Sequence, residues 1–159
     1  MKPLKNCKLY AILDTDYVSR DRLVEMARAI VRGGADILQL RAKNETDEEI
    51  LRIAPAIRDV ATAAGVPLII NDRPRIAGQL DAAGVHVGQD DIGIAAARKL
   101  LLKKGYVGKS THSAAQIEAA LVEKPDYIAV GPVFATPTKP DTPPVGLDLV
   151  RYAAQMVTV

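Results

Sequence analysis

Short apolar runs alternate with longer amphipathic stretches along the whole chain, and polar residues gather just after each run. Lys8–Leu13, Ala35–Arg41, Val66–Ile70, Gly84–Val87, Tyr106–Lys109 and Asp126–Val130 have strand length and strand composition. Between them, apolar positions recur at helical spacing. Leu23, Met26, Ala27 and Ile30 mark a helix that Ser19 would cap and Gly33-Gly34 would end. Thr46 with Glu49, and Ser113 with Gln116, have the spacing of capping boxes. The Thr46 helix continues through Ile50, Ile53, Ile57 and Val60 to Gly65, with Pro55 inside it. Pro74 opens a short helix, and two more are expected near Ile92–Leu102 and Leu147–Met156. Val157-Thr158-Val159 reads as the start of a seventh strand.

Strict alternation of strand and helix implies a parallel sheet with right-handed crossovers. Residues 1–159 are expected to form one domain of TIM-barrel type, with about six βα units and the start of a seventh. A doubly wound sheet would have the same alternation. A complete barrel of eight units takes roughly 250 residues, so this one is expected to be incomplete. Its first and last strands would then have open edges, a route to self-association.

Composition narrows the partners. A net charge of +2 favours neither nucleic acid nor a membrane surface. Trp is absent and Phe occurs once, which argues against a base-stacking surface. No apolar stretch is long enough to span a bilayer. The single Cys7 can form no internal disulfide, which suits a reducing cytoplasmic location.

The chemistry sits at the strand ends. In the second strand, Ile37, Gln39, Arg41 and Lys43 share one face, while Leu38, Leu40 and Ala42 share the other. A guanidinium and an ammonium two residues apart suit a diphosphate; a solvated edge strand would show the same charges. Asn71-Asp72 and Gln89-Asp90-Asp91 each follow an apolar strand. Acids on neighbouring strands can share one Mg²⁺, though either would serve equally as a helix N-cap. Lys109-Ser110-Thr111-His112-Ser113 offers hydroxyls and the imidazole expected nearest the site, whereas His86 within its apolar strand reads as structural. Thr136-Pro137-Thr138-Lys139 offers hydroxyls and an ammonium on a loop after a strand.

Together, Gln39-Leu40-Arg41-Ala42-Lys43, Ile70-Asn71-Asp72, Val85-His86-Val87-Gly88-Gln89-Asp90-Asp91, Ser110-Thr111-His112 and Gly131-Pro132-Val133-Phe134-Ala135-Thr136-Pro137-Thr138-Lys139 closely resemble the thiamine phosphate synthase family. The resemblance covers essentially the whole chain. It implies a TIM barrel and a Mg²⁺-dependent transferase. Such enzymes join hydroxymethylpyrimidine diphosphate to thiazole phosphate and release diphosphate. By position, Gln39, Leu40, Arg41, Ala42, Lys43, Asn71, Ser110 and Lys139 would hold the pyrimidine diphosphate. Arg41, Lys43, Ser110 and Lys139 would assist its departure, and Asp72 and Asp91 would ligate Mg²⁺. Thr136, Pro137 and Thr138 would hold the thiazole phosphate. The family pattern continues into a seventh strand with a glycine-rich loop and an eighth strand. The chain is therefore expected to be a C-terminally truncated form, with half of the thiazole-phosphate pocket outside it. Two alternatives stand beside this reading. One is a related thiazole tautomerase using His112, and the other is an inactive phosphate-binding remnant.

Overall fold

The computed structural model describes residues 3–101, 104–136 and 142–157. Six strands alternate with six helices. They are β1 Tyr10–Asp14, α1 Leu23–Arg32, β2 Ile37–Arg41, α2 Asp47–Ala63, β3 Leu68–Asn71, α3 Pro74–Gln79, β4 Gly84–Val87, α4 Ile94–Leu100, β5 Tyr106–Thr111, α5 Ala114–Glu123, β6 Tyr127–Val130 and α6 Gly146–Met156. The strands form one sheet in the order β1-β2-β3-β4-β5-β6, every neighbouring pair parallel. Strand order never reverses, which excludes the doubly wound alternative. The sheet curls into a half-barrel. The hydroxyls of Tyr10 on β1 and Tyr127 on β6 meet at 2.9 Å although those strands are not paired.

Local signals account for most of the elements. Thr46 caps α2 in a complete capping box: its hydroxyl accepts from the Glu49 N–H, and the Glu49 carboxylate accepts from the Thr46 N–H. Three acids, Asp47, Glu48 and Glu49, lie in that first turn, where the helix dipole favours them. At α5 the box is only half formed. Ser113 Oγ accepts from Gln116 N–H, but the Gln116 side chain accepts from His112 N–H, one residue upstream. Before α1 the chain makes a 3₁₀ turn, Arg20–Arg22, and Ser19 makes no side-chain cap bond. Val157 is not a strand residue; its N–H closes the last turn of α6 on the Ala153 carbonyl. Thr158 and Val159 lie outside the described residues.

The helices cover the outer face of the sheet. Leu38 and Leu40 of β2, Ile70 of β3 and Val85 and Val87 of β4 pack with Ile50 and Ile57 of α2, Ile76 of α3 and Ile94 of α4 in one buried cluster. The other strand parity faces inward. It places Tyr10, Ile12 and Asp14, then Gln39 and Arg41, Asn71, His86, Ser110 and Tyr127 on the concave side. No helix among the described residues is long and apolar enough to cross a membrane.

Leu38 is wholly buried at the centre of the outer cluster. Leu38→Ala is expected to lower stability by about 2–5 kcal/mol, measured by urea denaturation, because a central strand between two neighbours cannot collapse around the void.

Candidate active site

Two adjoining spaces lie on the concave side of the sheet. The inner one, about 380 Å³, is walled by Tyr10, Gln39, Arg41, His86, Ser110 and Tyr127, with Asn71 at its upper edge. The outer one, about 270 Å³, is lined by Ala42, Lys43, Asn71, Asp72, Arg73 and Asp91. Asn71 belongs to both.

The acids are positioned by backbone. Asp72 follows β3 with φ of +59°, a left-handed conformation that Asp tolerates better than most side chains, and its N–H donates to the His86 carbonyl at 2.8 Å. Asp91 is anchored by the turn after β4, where its Oδ2 accepts from Gly88 N–H at 2.7 Å. Neither acid caps a helix. The N-cap of α3 is Arg73 and that of α4 is Gly93, both without a side-chain cap bond; the Glu123 carboxylate accepts the Ile94 N–H instead. The two carboxyls instead face each other. Asp72 is raised to about 6, first by burial, then by the negative charge and hydrogen bond of Asp91, while Lys43 and Arg41 pull it back. A proton shared between the two carboxyls relieves their repulsion, as the cations Lys43 and Arg41 do in part. Among the described residues, no cluster of three or more His, Cys, Asp or Glu is placed to hold a metal.

The cations lie beside these acids. Lys43 lines the outer space and is exposed. Arg41 is mostly buried and held by the Asp14 carboxylate, with Asp16 at 3.7 Å. Asp14 shares the inward parity of Tyr10 and Ile12, so period two alone could have found it. Gln39 is only 3% exposed and donates from Nε2 to the Tyr10 hydroxyl at 2.7 Å.

The remaining expected residues divide. Leu40 points into the outer core, so only its backbone is available to a ligand; Ala42 lines the outer space. From the Lys109–Ser113 run, only Ser110 reaches the inner cavity. Lys109 is buried toward α5 in an ion pair with Glu123 at 3.3 Å, and Thr111 Oγ1 donates to the Ala129 carbonyl. The two histidines exchange the roles expected of them. His112 Nδ1 is engaged by the Gly131 carbonyl, whereas His86 lines the cavity between Ser110 and Tyr127. The parity of β4 puts His86 inward, a signal outweighed by the apolar run around it. Thr136 is the last described residue of its loop; Pro137, Thr138 and Lys139 lie outside the described residues.

Metal-free Asp91→Asn chain is expected to show Asp72 titrating below about 6 yet still above an ordinary carboxylate. The like charge is gone but burial remains. A carbon-detected NMR pH titration checks this, and an unchanged midpoint would mean the two acids do not interact.

A family model described as thiamine monophosphate synthase matches residues 9–159. The thiamine-phosphate synthase of Chloroflexus aurantiacus is 42% identical over 154 residues, covering 96% of this chain and 70% of that protein. That of Thermosynechococcus vestitus is 39% identical over 153 residues, covering 96% of this chain but 42% of that protein. Among solved structures, thiamine phosphate pyrophosphorylase from Pyrococcus furiosus superposes with a TM-score of 0.84 at 27% identity, over 96% of this chain and 72% of that one. The match in sequence, in strand order and along nearly the whole chain has one meaning: this chain belongs to the thiamine monophosphate synthase family, transferases of thiamine biosynthesis.

Proposed function

We propose that the chain transfers a hydroxymethylpyrimidine group from its diphosphate to a thiazole phosphate and releases diphosphate. Beyond family membership, one observation carries this reading. Two apposed carboxylates share the cavity mouth with Lys43 and Arg41, directly above a wall of amides and hydroxyls. A site with acids alone would bind a metal and one with cations alone an anion. Both together suit a metal diphosphate.

Gln39, Asn71 and Ser110 would meet the pyrimidine end from the inner space. Arg41 and Lys43, with the Ala42 backbone between them, would hold the diphosphate; Lys139 joins them in this reading, and Thr136, Pro137 and Thr138 hold the thiazole phosphate. Asp72 and Asp91 fit Mg²⁺, which takes one or two carboxylates and fills its remaining positions with phosphate oxygens and water. When bound, the ion offsets negative charge on the departing diphosphate.

The rest of the chemistry needs position and charge, not a protein nucleophile. The bond between the pyrimidine methylene carbon and the diphosphate oxygen breaks, and its electron pair leaves with the diphosphate. Arg41 and Lys43 stabilise that growing charge, as preorganised cations in a partly desolvated site do best. The thiazole nitrogen then gives its lone pair to the electron-poor methylene carbon. Holding both substrates in one cleft supplies the remaining advantage. A tautomerase reading would need His112 as acid and base, but that ring is held by the Gly131 carbonyl and does not line the cavity.

With both substrates, the chain is expected to form thiamine phosphate and diphosphate in equal amounts, and only with Mg²⁺. Arg41→Ala or Lys43→Ala should lower kcat on the order of 10²–10³-fold. Turnover without a divalent ion, or tight diphosphate binding without product, would sink the reading.

A further inference from the structure

Five inward side chains from five strands are joined in one hydrogen-bonded line. Gln39 Nε2 donates to Tyr10 Oη at 2.7 Å, and Tyr10 and Tyr127 hydroxyls meet at 2.9 Å. Tyr127 Oη lies 3.1 Å from His86 Nδ1, and His86 Nε2 lies 2.9 Å from Ser110 Oγ. Tyr127 is the hub. Its ring stands 5.7 Å from that of Tyr10 and 5.5 Å from that of His86.

Gly108 makes this possible. A Cβ at that position would stand 2.1 Å from Tyr127 Cζ and 2.5 Å from its Oη, inside any real contact distance. Gly108 is paired with Tyr127 across β5 and β6, so the ring lies flat over the bare glycine and its hydroxyl reaches toward the centre of the barrel.

Chemistry fixes the donor of the first bond only: Gln39 Nε2 gives to Tyr10. Either phenol can be the donor between Tyr10 and Tyr127, and the roles at His86 follow its tautomer. One assignment runs the protons from Tyr10 to Tyr127 and from Tyr127 to His86 Nδ1. A neutral imidazole accepting at Nδ1 carries its proton on Nε2, which donates to Ser110 Oγ. In that assignment Ser110 accepts from Nε2 and turns its own proton into the cavity. Burial pushes the Tyr10 phenol up to about 12 and the Tyr127 phenol well above its ordinary value, so both stay protonated donors through neutral pH.

We propose that Tyr127, seated on Gly108, is a positioning residue that sets the tautomer of His86 and thereby presents the Ser110 hydroxyl as a donor to the pyrimidine substrate. This rests on the cavity being the pyrimidine diphosphate site.

The test is Tyr127→Phe, which keeps the ring and removes the hydroxyl. Imidazole ¹⁵N–¹H correlation spectra of the full chain without substrate should show His86 protonated at Nε2. In Y127F they should show mixed tautomers. In turnover, kcat/KM for the pyrimidine diphosphate should fall by about 10-fold or more, as expected for losing one bond in a buried polar network, while the KM for thiazole phosphate moves by less than about 2-fold. Gly108→Ala, which displaces the ring, should show the same pattern. Wild-type His86 protonated at Nδ1, or an unchanged tautomer in Y127F, overturns the proposal, even if activity falls. Should Y127F fail to fold, the wild-type tautomer decides alone. Because the tautomer is read without substrate, it stands or falls separately from wild-type synthase turnover.

Discussion

The curl of the parallel sheet is the constraint on which the rest depends. Period-two alternation sends one set of side chains to the helices, where apolar packing is favoured. The other set converges on a narrow interior. Polar groups brought there lose water and must find partners among themselves. Gln39, Tyr10, Tyr127, His86 and Ser110 meet that demand with bonds that run between strands, including one between two strands that share no ladder. The interior is therefore polar and still satisfied: among the described side chains only Thr15 Oγ1 is buried without a partner. The same bonds that solve the burial problem also fix the rims of the half-barrel relative to each other.

The mouth of the site follows a different logic. Here the groups are charged and only partly satisfied within the chain. The two acids raise each other's energy, and Lys43 reaches them from an exposed position. A hydrogen-bonded floor thus lies beneath a charged rim. The floor can read the shape and hydrogen-bond pattern of a neutral ring. The rim can respond to a metal and to phosphate charge. That division matches a family whose members move a heterocyclic group away from a diphosphate.

Much of this was legible in the sequence, and the remainder failed for identifiable reasons. The six strands came from apolar runs bounded by turn residues, and Thr46–Glu49 located the start of α2. Strand parity put Gln39 and Arg41 together on the inner face, and the same parity would have placed Asp14, Tyr10 and Tyr127 there too. A tyrosine at the head of an apolar strand looks like core, and an acid after one looks like a turn, so these three do not stand out locally. His86 sits in an apolar run and His112 among hydroxyls, so local composition points one way and strand alternation the other. Lys109 stands beside hydroxyl residues in the sequence, yet parity turns it outward to Glu123. The choice between cap and ligand for Asp72 and Asp91 was open in sequence. It depends on a left-handed turn and on Glu123 arriving from another helix to cap α4, neither of which is local.

The pairing of Arg41 with Asp14 shows how such a rim can be stable before substrate arrives. A guanidinium this buried without a partner would be costly, so the fold supplies an anion from β1. A carboxylate offers two oxygens to the planar fork, as a phosphate does. A diphosphate bound at Arg41, as proposed above, would meet a guanidinium already oriented and mostly buried, and would exchange one anion for another instead of desolvating a bare cation.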